Sequence, residues 1–152
     1  MELDTCWLQK DAPEDLFSLI AGTQLGWGQY RRVYEHQFDK KLVIKQDSGQ
    51  NFSNINEWMV WLEFKDSPLG QWLAPVHFIS PRGLWIVMGR TRPIPIGKFP
   101  KRIPALFADI KPENWGMYRG RPVCHDYGNH SVFSVARPLL KKMKPALWEH
   151  HV

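Results

Sequence analysis

The sequence predicts an α+β fold: a five-stranded antiparallel sheet with one main helix, followed by a second half with little room for helices. Three observations carry the prediction. Five β-like runs, separated by turns rich in Gly, Ser and Pro, lie between Gln24 and Met88. One helical pattern interrupts them, from Asn54 to about Phe64. Beyond Arg92, Pro93, Pro95, Pro100 and Pro104 restrict the chain to extended backbone or short helices.

The bulk composition agrees with a single folded domain over residues 1–152, since 43% of residues are apolar and 13% aromatic, with eight Trp. Disorder is excluded on that composition. Two Cys, Cys6 and Cys124, suit a reducing compartment rather than a disulfide framework, and Met1-Glu2-Leu3-Asp4 is unlike the basic start of a signal peptide. No apolar run approaches the ~18 residues of a membrane span. The expectation is a cytoplasmic protein with no membrane partner. Its net charge of +5 comes largely from the second half, where Arg90, Arg92, Lys98, Lys101, Arg102, Arg119, Arg121, Arg137, Lys141, Lys142 and Lys144 fall. Such a half implies an anionic partner, either nucleotide, nucleic acid or an acidic protein surface, or else a solvated basic face.

In chain order, Asp15 to Ile20 reads as a short helix beside the domain. Gln24 to Tyr34 reads as strand, turn and strand, with Gly26 and Gly28 letting the backbone approach a ligand closely. Lys40 to Lys45 is a strand ending in a lysine. The helix follows, with Ile55, Trp58, Met59, Trp61 and Leu62 as its apolar face. Trp72–Ile79 and Gly83–Met88 read as two more strands joined by Ser-Pro-Arg-Gly. Leu139 to Leu147 reads as a basic helix interrupted by Pro145.

The chemistry concentrates between Phe107 and Gly128, where Asp109, Lys111, Asn114 and Asp126 lie close in sequence around a turn at Tyr118-Arg119-Gly120-Arg121. Carboxylate and amide oxygens are ligands that suit magnesium. Asp109-Ile110-Lys111-Pro112-Glu113-Asn114, with Asn five residues after Asp, resembles the catalytic loop of eukaryotic-type protein kinases, and Asp126-Tyr127-Gly128 resembles their Asp-Phe-Gly. Upstream, Gly26-Trp27-Gly28 with Val33 is similar to the Gly-rich loop, and Val43-Ile44-Lys45 to the third-strand Val-Ala-Ile-Lys.

This resemblance, spanning about Gln24 to Gly128, implies a kinase-like fold with an N-lobe near residues 20–89 and a much reduced C-lobe over 90–152. It implies an ATP- and magnesium-dependent phosphotransferase in which Lys45, fixed by Glu57, binds the α- and β-phosphates while Gly26 and Gly28 cover them. Asp109 would accept the acceptor hydroxyl's proton, Lys111 would neutralise the γ-phosphate, and Asn114 and Asp126 would hold the metal. Val33, Val43, Met88, Gly89 and Arg90 would surround adenine, with Met88 as gatekeeper. The alternative role for Glu57 is a capping box with Asn54, Glu63 then being a substitute partner for Lys45.

The departures from the family are specific. Arg31 stands at the third glycine, Phe107-Ala108 replaces His-Arg, Val43 is bulkier than the usual alanine, and Gly116 is smaller than the usual floor residue. Eighteen residues separate Arg90 from Asp109 and twenty-four follow Gly128, too few for the family's helical platform. A kinase-like binding protein (a pseudokinase that engages a protein partner) is therefore the alternative function, and a nucleic-acid binder the third. Cys124, His125 and His130 with Asp126 lack the spacing of a structural zinc site. His150-His151 is expected to be an unused tail, and Trp115 and Trp148 are expected to pack rather than stack on bases.

Overall fold

The computed structural model describes residues 15–108, 110–129 and 141–148. Strands β1 (Ala21–Trp27), β2 (Arg31–His36) and β3 (Leu42–Asp47) run as successive hairpins. Helix α1 (Ser53–Phe64) follows, then β4 (Val76–Ile79) and β5 (Trp85–Gly89). All five strands form one antiparallel sheet, as the sequence predicts, and their order is β1-β2-β3-β5-β4.

Alternation along β3 gives the sheet two faces. Ile44 points to one, where it packs with Trp85 and Val87 beneath Phe17 and Ile20 of helical residues 15–20. Val43 and Lys45 point to the other. There Val43, Ile86 and Met88 meet Val60 and Phe64 of α1 and, beyond them, Phe107, Trp115, Val123 and Tyr127 from the second half. A single apolar cluster thus joins both halves of the chain.

Three local expectations are corrected. The strand expected from Trp72 begins only at Val76: residues 70–72 form a 3₁₀ turn and Ala74 donates its N–H to the Cys124 carbonyl at 2.8 Å, drawing the chain away from the sheet. The part of the expected 139–147 helix that is described is a strand, β9 (Met143–Pro145), paired with β6 (Arg102–Pro104). Pro145 lacks a donor and suits such an edge. The buried stripe of α1 is Ser53, Asn54, Glu57, Val60 and Phe64, whereas Met59 and Leu62 are exposed. The apolar-face reading holds for Trp58 and Trp61, which pack half-buried against the core, and fails for Met59 and Leu62 because the helix also turns a polar N-terminal stripe inward.

In the second half, β7 (Trp115–Tyr118) and β8 (Arg121–Cys124) form the expected hairpin, with Arg119 and Gly120 both at positive φ in its turn. Trp115 and Trp148 pack edge to face at 5.4 Å, and Trp148 donates to the Pro100 carbonyl. Among the described residues no helix is long and apolar enough to cross a membrane.

Candidate functional site

Strands β2 and β3, helix α1 and the segment after the second-half hairpin supply the site. Lys45 stands on the inner face of β3 and Glu57 on the inward stripe of α1, both with almost no exposed surface. Lys45 Nζ donates to Glu57 Oε1 at 3.0 Å and Oε2 at 3.1 Å, and also to the His125 carbonyl. Burial alone would push the Glu57 carboxyl up, but Arg31 and Lys45 outweigh it and hold it at about 2. Burial pulls Lys45 downward and Glu57 opposes that pull.

No capping box forms. Asn54 lies inside the helix, its N–H is accepted by Asp47 Oδ2 at 3.2 Å, and its side chain donates to the Lys45 carbonyl. Asp47 therefore caps the helix and leaves Glu57 to the lysine. Glu63 is exposed and away from this cluster.

The third glycine position carries a second cation. Gly28 donates its N–H to the Arg31 carbonyl at 2.7 Å, closing the β1–β2 turn and setting Arg31 at the first residue of β2. Its guanidinium enters between the sheet and the second half. Nη1 lies 2.8 Å from Glu57 Oε2, and Nη2 donates to Glu57 Oε1 at 3.1 Å and to Asp126 Oδ1. Although burial opposes its charge, Glu57 and Asp126 hold its pKa above the ordinary arginine value.

The Asp126-Tyr127-Gly128 segment is fixed residue by residue. Tyr127 is fully buried, its hydroxyl donates to the Ala74 carbonyl at 2.7 Å and its N–H to Glu57 Oε1 at 3.0 Å. A Cβ on Gly128 would stand 2.5 Å from the Ser53 carbonyl oxygen, so only glycine lets this segment meet the start of α1. Asp126 is the one member facing the opening, its side chain 38% exposed.

His125 completes the floor. Its Nε2 donates to the Glu113 carbonyl at 2.9 Å, so Nδ1 accepts from the Thr91 hydroxyl at 2.8 Å. Burial, with Lys45 adding to it, lowers the imidazole to about 4, which keeps it neutral at pH 7. Gly116 lies against Thr91, where an added Cβ would meet the threonine side chain at 2.5 Å. The space beside Gly116 is thus taken by the Thr91 side chain and the Arg92 carbonyl, which was not legible in the sequence.

A cleft of about 740 Å³ opens over these groups. Gly26, Gly28, Arg31, Val33, Lys45, Asn114 and Asp126 line it, so the structure gathers the turn glycines, the lysine and the expected metal residues in one place. Its size falls within the range of small-molecule sites, about 300–1,000 Å³. Of the expected adenine residues, Val33 lines this cleft and the other four do not. Val43 and Met88 are core residues, and Gly89 and Arg90 direct their N–H groups to the carbonyls of Pro75 and Lys41. Lys111 is exposed beside the 3₁₀ turn at Pro112–Asn114. Asp109, the expected base, lies outside the described residues, as do His130, Arg137, His150 and His151.

The basic residues gather elsewhere. Lys40, Lys41, Arg90, Arg92 and Arg119 line a second cleft of about 1110 Å³ with Asp39. Glu35 neutralises part of that charge, at 2.7 Å from Lys40 and 2.6 Å from Arg90.

Magnesium asks for open oxygen ligands in near-octahedral order. Asp126 offers a carboxylate, but one of its oxygens carries the Arg31 guanidinium. Among the described residues no group of three His, Cys, Asp or Glu side chains is arranged to hold a metal ion. As arranged, the Asp126 oxygen that meets Arg31 is not open to a metal ion, while Asn114 lines the same cleft.

No family model matches this chain, and a search of curated proteins finds no match to it.

Proposed function

We propose that this chain is a kinase-like protein that binds a nucleoside triphosphate, ATP being the expected ligand, in the cleft beneath the β1–β2 turn. The observation that carries the reading is the buried Lys45–Glu57 pair at the base of a cleft roofed by Gly26 and Gly28. A lysine held by a carboxylate, beneath a glycine turn whose backbone can come close, is an arrangement suited to phosphate oxygens. A neutral His125 and a Tyr127 locked in the core hold Asp126 at the mouth of the cleft.

Phosphoryl transfer to a protein acceptor is the second reading, favoured by Asn114 and Asp126 sharing the cleft with Lys45. Transfer requires Asp109 as the base that takes the acceptor hydroxyl's proton. A thermal melt separates ligand binding from its absence: ATP at about 100 times its dissociation constant adds roughly 2.7 kcal/mol, a shift of several degrees for a chain of this size. The shift is expected for the wild type and lost in Lys45→Ala; no shift at millimolar ATP refutes the binding reading. Radiolabel transfer from ATP to protein, lost in Asp109→Asn, would establish the second.

A further inference from the structure

We propose that Arg31 stands in place of a divalent cation, so that this cleft takes up a nucleoside triphosphate without magnesium. The inference rests on the nucleotide-binding reading and says what counter-ion that site uses. Charge comes first. Arg31 and Lys45 bring two positive charges, Glu57 and Asp126 two negative ones, and all four meet in one contact network. The cluster is balanced with no metal present. Were position 31 a glycine, Asp126 would face the cleft without its arginine, open to water or to a bound cation.

Geometry gives the second reason. Arg31 is held at its base by the Gly28–Arg31 turn bond and at its tip by two contacts to Glu57, whose side chain is fully buried. Its contact with Asp126 is the outer one, since that carboxylate is 38% exposed at the mouth of the cleft. A triphosphate entering beneath Gly26 and Gly28 meets Nη2 at this outer contact. Exchange of a carboxylate oxygen for a phosphate oxygen keeps Arg31 paired throughout, and guanidinium matches either anion.

Magnesium at the other oxygen of Asp126 would have to sit beside the guanidinium that holds Oδ1. A guanidinium stays charged throughout, so that repulsion cannot be relieved by losing a proton.

The test is calorimetric titration of the full chain with ATP, once in excess EDTA and once in excess magnesium chloride. The expected affinities agree within about threefold. Asp126→Asn, which frees the outer nitrogen of Arg31, is expected to bind ATP about threefold or more tightly in EDTA. Arg31→Gly is expected to lose at least about tenfold in EDTA and to regain affinity when magnesium is added. Wild-type binding that requires magnesium, or loss of binding in Asp126→Asn, overturns the role given to Arg31 while leaving the nucleotide reading intact. Absence of ATP binding under both conditions overturns the nucleotide reading and this inference with it.

Discussion

Ile44 and Lys45 are adjacent on β3, face opposite sides of the sheet and are equally hidden from water, yet they sit in opposite chemistries. On the Ile44 side, Trp85, Val87, Phe17 and Ile20 form a dry cluster whose burial favours folding directly. On the Lys45 side, a lysine, an arginine and a glutamate are packed beneath α1 with an aspartate at their edge. Burying such a network gains little stability compared with apolar residues of the same volume, because desolvation offsets the attraction. Apolar burial on both faces drives the sheet together, since Val43, Ile86 and Met88 also pack against Val60 and Phe64 on the Lys45 side. The charged network that only this second side carries is accounted for by the phosphate-binding role proposed for the cleft it underlies.

Breaking the charged face at its centre gives the largest effect. Glu57→Ala removes the shared partner of Lys45, Arg31 and the Tyr127 N–H. It leaves two buried cations, and the expected cost is about 3–5 kcal/mol in a denaturant titration, together with loss of the ATP-induced melting shift. Trp85→Ala breaks the other face, since this side chain is 1% exposed and stacks near Phe78 and Phe17. Its stability loss is of similar size, about 3–5 kcal/mol, but the ATP shift is expected to survive at temperatures where the variant is folded. If both variants lose the shift equally, the division of labour between the faces is wrong.

Acid sharpens the same contrast, because His125 and Glu57, whose pKa values are displaced, both lie on the Lys45 side. His125 sits at about 4 in the fold against an ordinary 6.5. Its lowered pKa means that the unfolded chain takes up the proton first, so stability is full above about pH 6.5 and declines as pH falls toward 4. Glu57, held at about 2 against 4.5, contributes stability that is full above about pH 4.5 and is lost as pH falls toward 2. A denaturant midpoint followed against pH is expected to fall in these two windows, and His125→Gln is expected to flatten the upper one. A midpoint unchanged between pH 6.5 and 4 would show that His125 is not buried in its neutral form.

Much of this arrangement was legible because local rules and tertiary packing agree. Strand alternation, the Ser80–Gly83 turn and the hairpin around Arg119-Gly120 follow from period and turn chemistry, which depend on neighbours in sequence. Lys45, Glu57 and Asp126 were legible through motif order, and their meeting in one cluster follows from the sheet and α1. Arg31 was read as a missing glycine, since nothing local shows that a side chain at the start of β2 spans to Asp126, ninety-five residues away. His125 was weighed as a zinc ligand because its partners, Thr91 and the Glu113 carbonyl, come from other segments. Residues 143–145 were misread for a related reason: a three-residue strand has no period of its own, and only its pairing with β6 defines it.

Helix α1 carries the smallest and most pointed test, because it inverts the usual rule. Its inward stripe includes Glu57 and Asn54, both fully buried, while Leu62 on the same helix is 45% exposed. A reading from hydrophobicity alone puts Leu62 in the core and expects its replacement by a charge to cost several kcal/mol, as burying an unpaired charge does. The structure places it outside. Leu62→Lys then exchanges a half-exposed leucine for a long side chain that can lay its methylenes along the helix and keep its ammonium in water. The expected change in stability is within about 0.5 kcal/mol, with the ATP-induced shift unaltered. A loss comparable to that of Trp85→Ala would mean that α1 is rotated on the sheet, which would also withdraw Glu57 from Lys45 and remove the geometry on which the charged face depends.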